Sequence, residues 1–222
     1  MIIDSQIWKH ELEMEVTNFG KFISEIDFNS QEDEEDEEDD ISDENYDSLS
    51  DYRQVGNLTF ITLQKFAVYS SIIIRKLIEA EKISDELLNE NFAIQTYLKN
   101  KDKKITKWNA FEIEELYELD KPKKTSINLK NLTDKIIHSY HFMPKYEWSK
   151  IDKKLADEDS ENWRNEGLEG FYFSSDKTKE KELFFISIKQ YIKSIKEVTS
   201  DFIILKEFVG NKLVVNSKNI KK

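Results

Sequence analysis

The chain has 222 residues, enough for one large domain or two small ones with a real core. It has no cysteine, which excludes disulfide scaffolds, cysteine nucleophiles, thiolate zinc sites and iron–sulfur clusters. The net charge of −12 is concentrated: Glu32–Asp40 is a run of nine acids, and without it −3 remains, so overall acidity does not decide for or against nucleic acid as a partner of the rest.

Residues 5–27 read as a first helix, with Ile7, Leu12, Val16, Phe19, Phe22, Ile23 and Ile26 at roughly helical spacing. The N-terminus lacks a basic region followed by an apolar run, and apolar stretches such as Ser71–Ile74 are short for a bilayer span, so the expected location is the cytoplasm. Residues 28–52 read as an acidic, disordered linker, because like charges this dense repel and bury nothing apolar. The tract is a solubilising spacer or a lure for a basic protein.

Residues 57–82 form the strongest helix in the pattern. Phe66, Tyr69, Ile73 and Leu77 step by three and four, and Leu58, Ile61, Leu63, Ile72, Ile74 and Ile78 widen the face. Arg75 interrupts it and is expected to snorkel out or pair with an acid. Ser84 reads as the N-cap of a short helix from Asp85 to Asn91. Helical spacing resumes over 107–119 with Trp108, Phe111, Leu116 and Leu119, and again over 126–143, where Pro144 disfavours helical geometry at Met143.

The C-terminal part changes period. Gly170–Phe173 and Leu183–Ile186 predict a β-hairpin around a polar loop, and Ser187–Gln190 fits a capping box for a following helix. Phe202–Phe208 and Leu213–Val215 around Gly210-Asn211 predict a last hairpin. The expected fold is therefore mainly α: an N-terminal helix over 1–27, a helical bundle core over 53–150, and a small α+β hairpin-and-helix appendage over 165–222.

One polar constellation stands out. On a helix over 126–143, Leu129, Leu132, Ile136, Tyr140 and Met143 share one arc, and Asn131, Asp134, His138 and His141 share the opposite one. Three readings stay open: a solvated face, a metal site built from Asp134, His138 and His141, and an acid–base site in which His138 moves protons and Asp134 orients it. Lysine clusters at 99–107, 121–124, 150–154 and 177–181 read as solvated faces that could contact phosphates if folding brought them together.

The segment Asp134-Lys135-Ile136-Ile137-His138-Ser139-Tyr140 resembles the signature helix of the HEPN superfamily, whose pattern is an arginine, four to six residues beginning with a polar one, and a histidine. His138 matches the histidine and Asp134 the polar position. The arginine belongs at 131–133, where the chain has Asn131, Leu132 and Thr133, so Arg75 from another helix is the candidate substitute. The resemblance implies an all-helical, RNA-acting domain, a metal-independent ribonuclease of a toxin–antitoxin or defence system that needs no cofactor. It implies His138 and Asp134 as catalytic residues, with Asn131, His141 and Arg75 contacting substrate. The rest of the chain resembles bacterial proteins without an assigned activity that share this order of elements. The alternative expectation is a non-catalytic protein-interaction or regulatory module. The expected partners are RNA, an antitoxin-like or basic protein on the acidic tract, or a second copy in a homodimer, and no membrane.

Overall fold

A computed structural model describes residues 4–26, 45–150, 163–210 and 212–217, with side chains described over 4–26, 56–147, 167–210 and 212–216. The acidic run Glu32–Asp40 lies outside the described residues, as do the side chains of Trp148 and Trp163. In chain order the elements are α1 (Ser5–Glu25), α2 (Asn45–Glu79), α3 (Asp85–Asn89), β1 (Asn91–Leu98), α4 (Ile113–Leu116), β2 (Lys123–Asn128), α5 (Leu129–Ile137), β3 (Ser139–Lys150), β4 (Trp163–Ser175), β5 (Glu182–Ser187), α6 (Ile188–Thr199), β6 (Ile203–Val209) and β7 (Lys212–Ser217).

The centre is a five-stranded antiparallel sheet in the order β2-β1-β5-β4-β3, not a helical bundle with an appendage. The correction has a physical source in the strands themselves. On β4 and β5 successive side chains alternate between two cores, and β1 sends side chains into both. Phe92, Ile94, Phe171, Phe173, Phe184 and Ile186 enter one, while Tyr97, Tyr172, Leu183 and Phe185 enter the other. Strands buried on both faces read as continuous apolar runs without alternation, so periodicity alone does not separate them from buried helix.

The first core lies under α1, α2, α5 and α6, which bring Leu12, Phe66, Leu77, Leu132, Ile136 and Ile195 against the sheet. The second is covered by the connection from β1 to β2, through Ile105, Ile113, Leu116 and Tyr117. Gly170 on β4 allows the closest strand approach. A Cβ there would sit 2.3 Å from the Ile186 carbonyl oxygen and 2.7 Å from the Phe185 ring.

Three further expectations change. Residues 126–143 are not one helix. Asn128 ends β2 and caps α5 by accepting from Asn131 N–H, and the chain turns into β3 after His138. Leu129, Leu132 and Ile136 do form the buried face, but Tyr140 and Met143 meet the helical spacing while lying on a strand. Pro144 fits because β3 is an edge strand, where a missing N–H costs little. Over 107–119 only Ile113–Leu116 is helical. Residues 45–52, expected in the linker, are the first turns of α2. By length and composition Gly56–Glu79 could cross a membrane, yet 44% of that apolar window is buried inside the protein.

Two polar anchors hold the helices. Tyr191 of α6 is fully buried. Its hydroxyl donates to the Ala67 carbonyl at 2.8 Å and lies 2.7 Å from Ser70 Oγ and 3.0 Å from Ser71 Oγ, tying α6 to α2. Asp201, just after α6, accepts from Ser84 N–H at 2.7 Å, and its carbonyl accepts from the buried Lys9 ammonium of α1. Burial holds the Lys9 ammonium below the usual lysine range, partly offset by Asp201.

Tyr191→Phe keeps the ring and removes the hydroxyl that links Ser70, Ser71 and the Ala67 carbonyl in the core. Urea unfolding is expected to show a loss of about 1–2 kcal/mol with an unchanged denaturant slope.

Candidate functional site

The sequence-derived residues separate into two layers. Asn131, Asp134 and His138 stay on α5 or its C-cap, on the helical side of the sheet. His141 belongs to β3 and is 1% exposed on the opposite side, among Tyr117 and Tyr140. The Asp134, His138 and His141 set is therefore not assembled, and among the described residues no group of three or more His, Cys, Asp or Glu side chains is placed to hold a metal ion.

Folding does bring Arg75 to Asp134. Nη1 of Arg75 donates to Asp134 Oδ1, while its Nε donates to Glu79 Oε1 at 3.0 Å. The guanidinium thus already has two carboxylate partners. His138 is exposed, one turn beyond Asp134, and its backbone N–H closes the helix on the Asp134 carbonyl at 3.1 Å. Asn131 lines a cleft of about 320 Å³ with Thr96, Lys135 and Glu182, but His138 does not.

The more organised surface is one that helical spacing concealed. Trp108 is 94% exposed and Phe111 69% exposed, on the loop Lys104–Glu112. The loop is held by its own side chains and from beneath. Asn109 Oδ1 accepts from Thr106 N–H at 2.7 Å and from Thr106 Oγ1 at 3.0 Å, and Asn109 Nδ2 donates to the Lys104 carbonyl at 3.0 Å. Ile105 is buried in the second core. His141 Nδ1 lies 2.6 Å from the Ala110 carbonyl oxygen, which can only accept, so Nδ1 carries the proton. Burial lowers the His141 pKa below its ordinary value; the Ala110 bond opposes this, Lys179 adds to it and Glu180 opposes it.

The same end of the sheet gathers three lysine clusters that are far apart in the chain. Lys99 N–H donates to the Lys181 carbonyl at 3.0 Å, Tyr117 Oη donates to the Lys179 carbonyl at 2.8 Å, and Lys123 pairs with Thr96 across β1 and β2. His138, at the start of β3, lies at this end too, since Ser139 pairs with Ser175. Residues 99–124 and 176–182 hold eleven lysines and nine acids, a slightly positive balance on a strongly negative chain. Four of the lysines are engaged: Lys99 with Glu180, Lys103 with Glu115, Lys121 with Glu118 and Lys179 with Asp176.

Sequence periodicity missed Trp108 and Phe111 because both continue the spacing of Leu116 and Leu119. The signal that was present is their place at the end of a lysine-rich run, Lys99 to Lys107. The chain matches no protein-family model, no curated protein and no solved structure.

The Arg75–Asp134 pair is roughly a third exposed on each side. A double-mutant cycle with Arg75→Ala and Asp134→Ala is expected to give a coupling under about 1 kcal/mol. A coupling of several kcal/mol would mark the pair as a buried structural element.

Proposed function

We propose that this chain is a cytoplasmic module that binds single-stranded RNA at the lysine-rich end of its sheet, with Trp108 and Phe111 as stacking platforms. The carrying observation is the pair of exposed aromatic side chains on a pinned loop. Leaving a tryptophan in water forgoes its burial energy, and fixing its backbone beforehand lowers the ordering cost when a base covers it. Unpaired bases present faces to stack on, and duplex bases do not.

The charges support the same ligand. Lys101, Lys104 and Lys107 lead directly into Trp108 on the same loop, and Lys123 and Lys124 extend the patch along the edge strand β2. All five are exposed and make no ion pair among the described residues. Lys177 and Lys181 add to it from the turn between β4 and β5. The reading is binding and not cutting: Arg75 is held by Asp134 and Glu79, and a phosphate would have to displace a carboxylate to reach it.

Fluorescence anisotropy with labelled single-stranded RNAs at low salt tests this. Trp108→Ala is expected to weaken binding about 10- to 100-fold, since each stacked base contributes about 1–3 kcal/mol. Lys104→Ala with Lys107→Ala should flatten the salt dependence by about two charges. Trp108 contributes nothing buried, so its variant should unfold with the parent's stability. Absence of binding to every RNA, or binding indifferent to Trp108, sinks the reading.

A second reading, a protein-interaction module, is favoured by the last hairpin. β7 is anchored, with Val215 buried and its N–H donated to Asp85 Oδ2 at 3.3 Å. β6 leaves Ile204 at 64% and Phe208 at 75% exposure, with Leu205 and Val209 also open to water. Uncovered apolar edge strands invite pairing with another chain. A photo-crosslinker at position 208 should capture a discrete adduct in cells, with a second copy or another protein, that a Val209→Asp change abolishes. No adduct from that position rules this surface out.

A further inference from the structure

We propose that His141 is the positioning residue of the Lys104–Glu112 loop and that only its neutral form holds Trp108 and Phe111 in their RNA-receptive arrangement, a pH control that rests on the RNA-binding reading above. The histidine reaches the loop at Ala110, between the two aromatics, from β3 on the sheet beneath. It thereby links the recognition surface directly to the core.

The ring has one proton position in use and one that cannot be used in place. Nδ1–H donates to the Ala110 carbonyl, and Nε2 is buried with no hydrogen-bond partner among the described residues. A second proton on Nε2 would be a buried donor without an acceptor. Among the described neighbours the one compensating charge is Glu180, and it comes without a hydrogen bond. Tyr117, following α4, meets the ring edge-on at 5.5 Å with its hydroxyl proton given to the Lys179 carbonyl, and Ser174, across from His141 in the sheet, keeps its buried hydroxyl out of hydrogen-bond reach of Nε2. Tyr140 of β3 meets it at 4.9 Å, and the Lys179 ammonium stands 3.3 Å over the Tyr140 ring. Glu180, the nearby acid of the same turn, faces Lys99 at 3.8 Å and gives the imidazole no hydrogen bond.

An imidazolium therefore gains an acceptor for its second proton by swinging toward water, and that motion breaks the Ala110 anchor. The folded pKa is depressed by burial, so the neutral, anchored form persists at neutral pH. The anchored state is fully present above the ordinary histidine value of about 6.5 and is lost as pH falls from there through the folded value. The direction is diagnostic. Acidification neutralises carboxylates and by itself strengthens RNA binding, whereas release of the loop weakens it.

The test follows the loop and the ligand separately on the full chain. 5-Fluorotryptophan labelling gives a fluorine resonance for Trp108, assigned by its loss in Trp108→Phe and followed without RNA from about pH 7.5 to about pH 5. Anisotropy with single-stranded RNA covers the same range. The parent should show a resonance transition below about pH 6.5 and at least a tenfold loss of affinity across it. His141→Asn keeps an N–H for Ala110 and cannot titrate. It should bind as the parent does at neutral pH, show no transition, and lose no affinity on acidification. Coincident fluorine profiles for the parent and His141→Asn overturn the proposal. A parent that shows the transition but binds RNA at no pH upholds the loop control and removes the RNA reading.

Discussion

β4 and β5 carry large apolar side chains on both faces, and nearly everything else in the molecule follows from covering them. Phe171, Phe173, Phe184 and Ile186 point to one side, and Tyr172, Leu183 and Phe185 to the other. Neither face can be left in water, since each aromatic side chain is worth a few kcal/mol of burial. Four helices cover one side. Among the described residues no long helix is left for the other, and the connection between β1 and β2 takes that place with α4, Ile105 and Tyr117.

A cover built from loop has consequences that a helix would not have. It must satisfy its own backbone groups, and Asn100, Thr106 and Asn109 supply the side-chain hydrogen bonds that do so. It is also stitched downward to the sheet, through buried apolar residues and through His141. Between those stitches the loop has an outward side, and that is where Trp108 and Phe111 stand. Exposure of this size on a rigid segment differs from a lone surface leucine, because the position is maintained by bonds that do nothing for the exposed rings. The exposed aromatic surface and the second core are thus two sides of one segment.

The polar stripe on α5 illustrates how far a local pattern carries. Its spacing correctly set Asp134 and His138 one turn apart, and the fold added Arg75, which the local motif lacked. It did so as a partly exposed ion pair with Asp134 and Glu79. His141 left the stripe altogether, because the helix ended at Ile137 and the next residues took the period of a strand.

Several features were legible without tertiary structure, and they share a cause. The first helix, the core of the second, the Ser84 and Ser187 caps, the aromatic hairpin around Asp176–Lys181 and the turn at Gly210 all depend on contacts within a few residues. The sheet was not legible, because β1 pairs with β5 some ninety residues away and no local spacing records that partner. Strands apolar on both faces also lack the alternation that would have announced them. The same holds for the proposed site: the three lysine clusters and Trp108 are plain in the sequence, but antiparallel pairing alone set them at one end of the sheet. Residue identity determined which groups could stack, titrate or carry charge. Long-range strand pairing decided which of them are neighbours, since that choice depends on burying two apolar faces at once and not on any single segment.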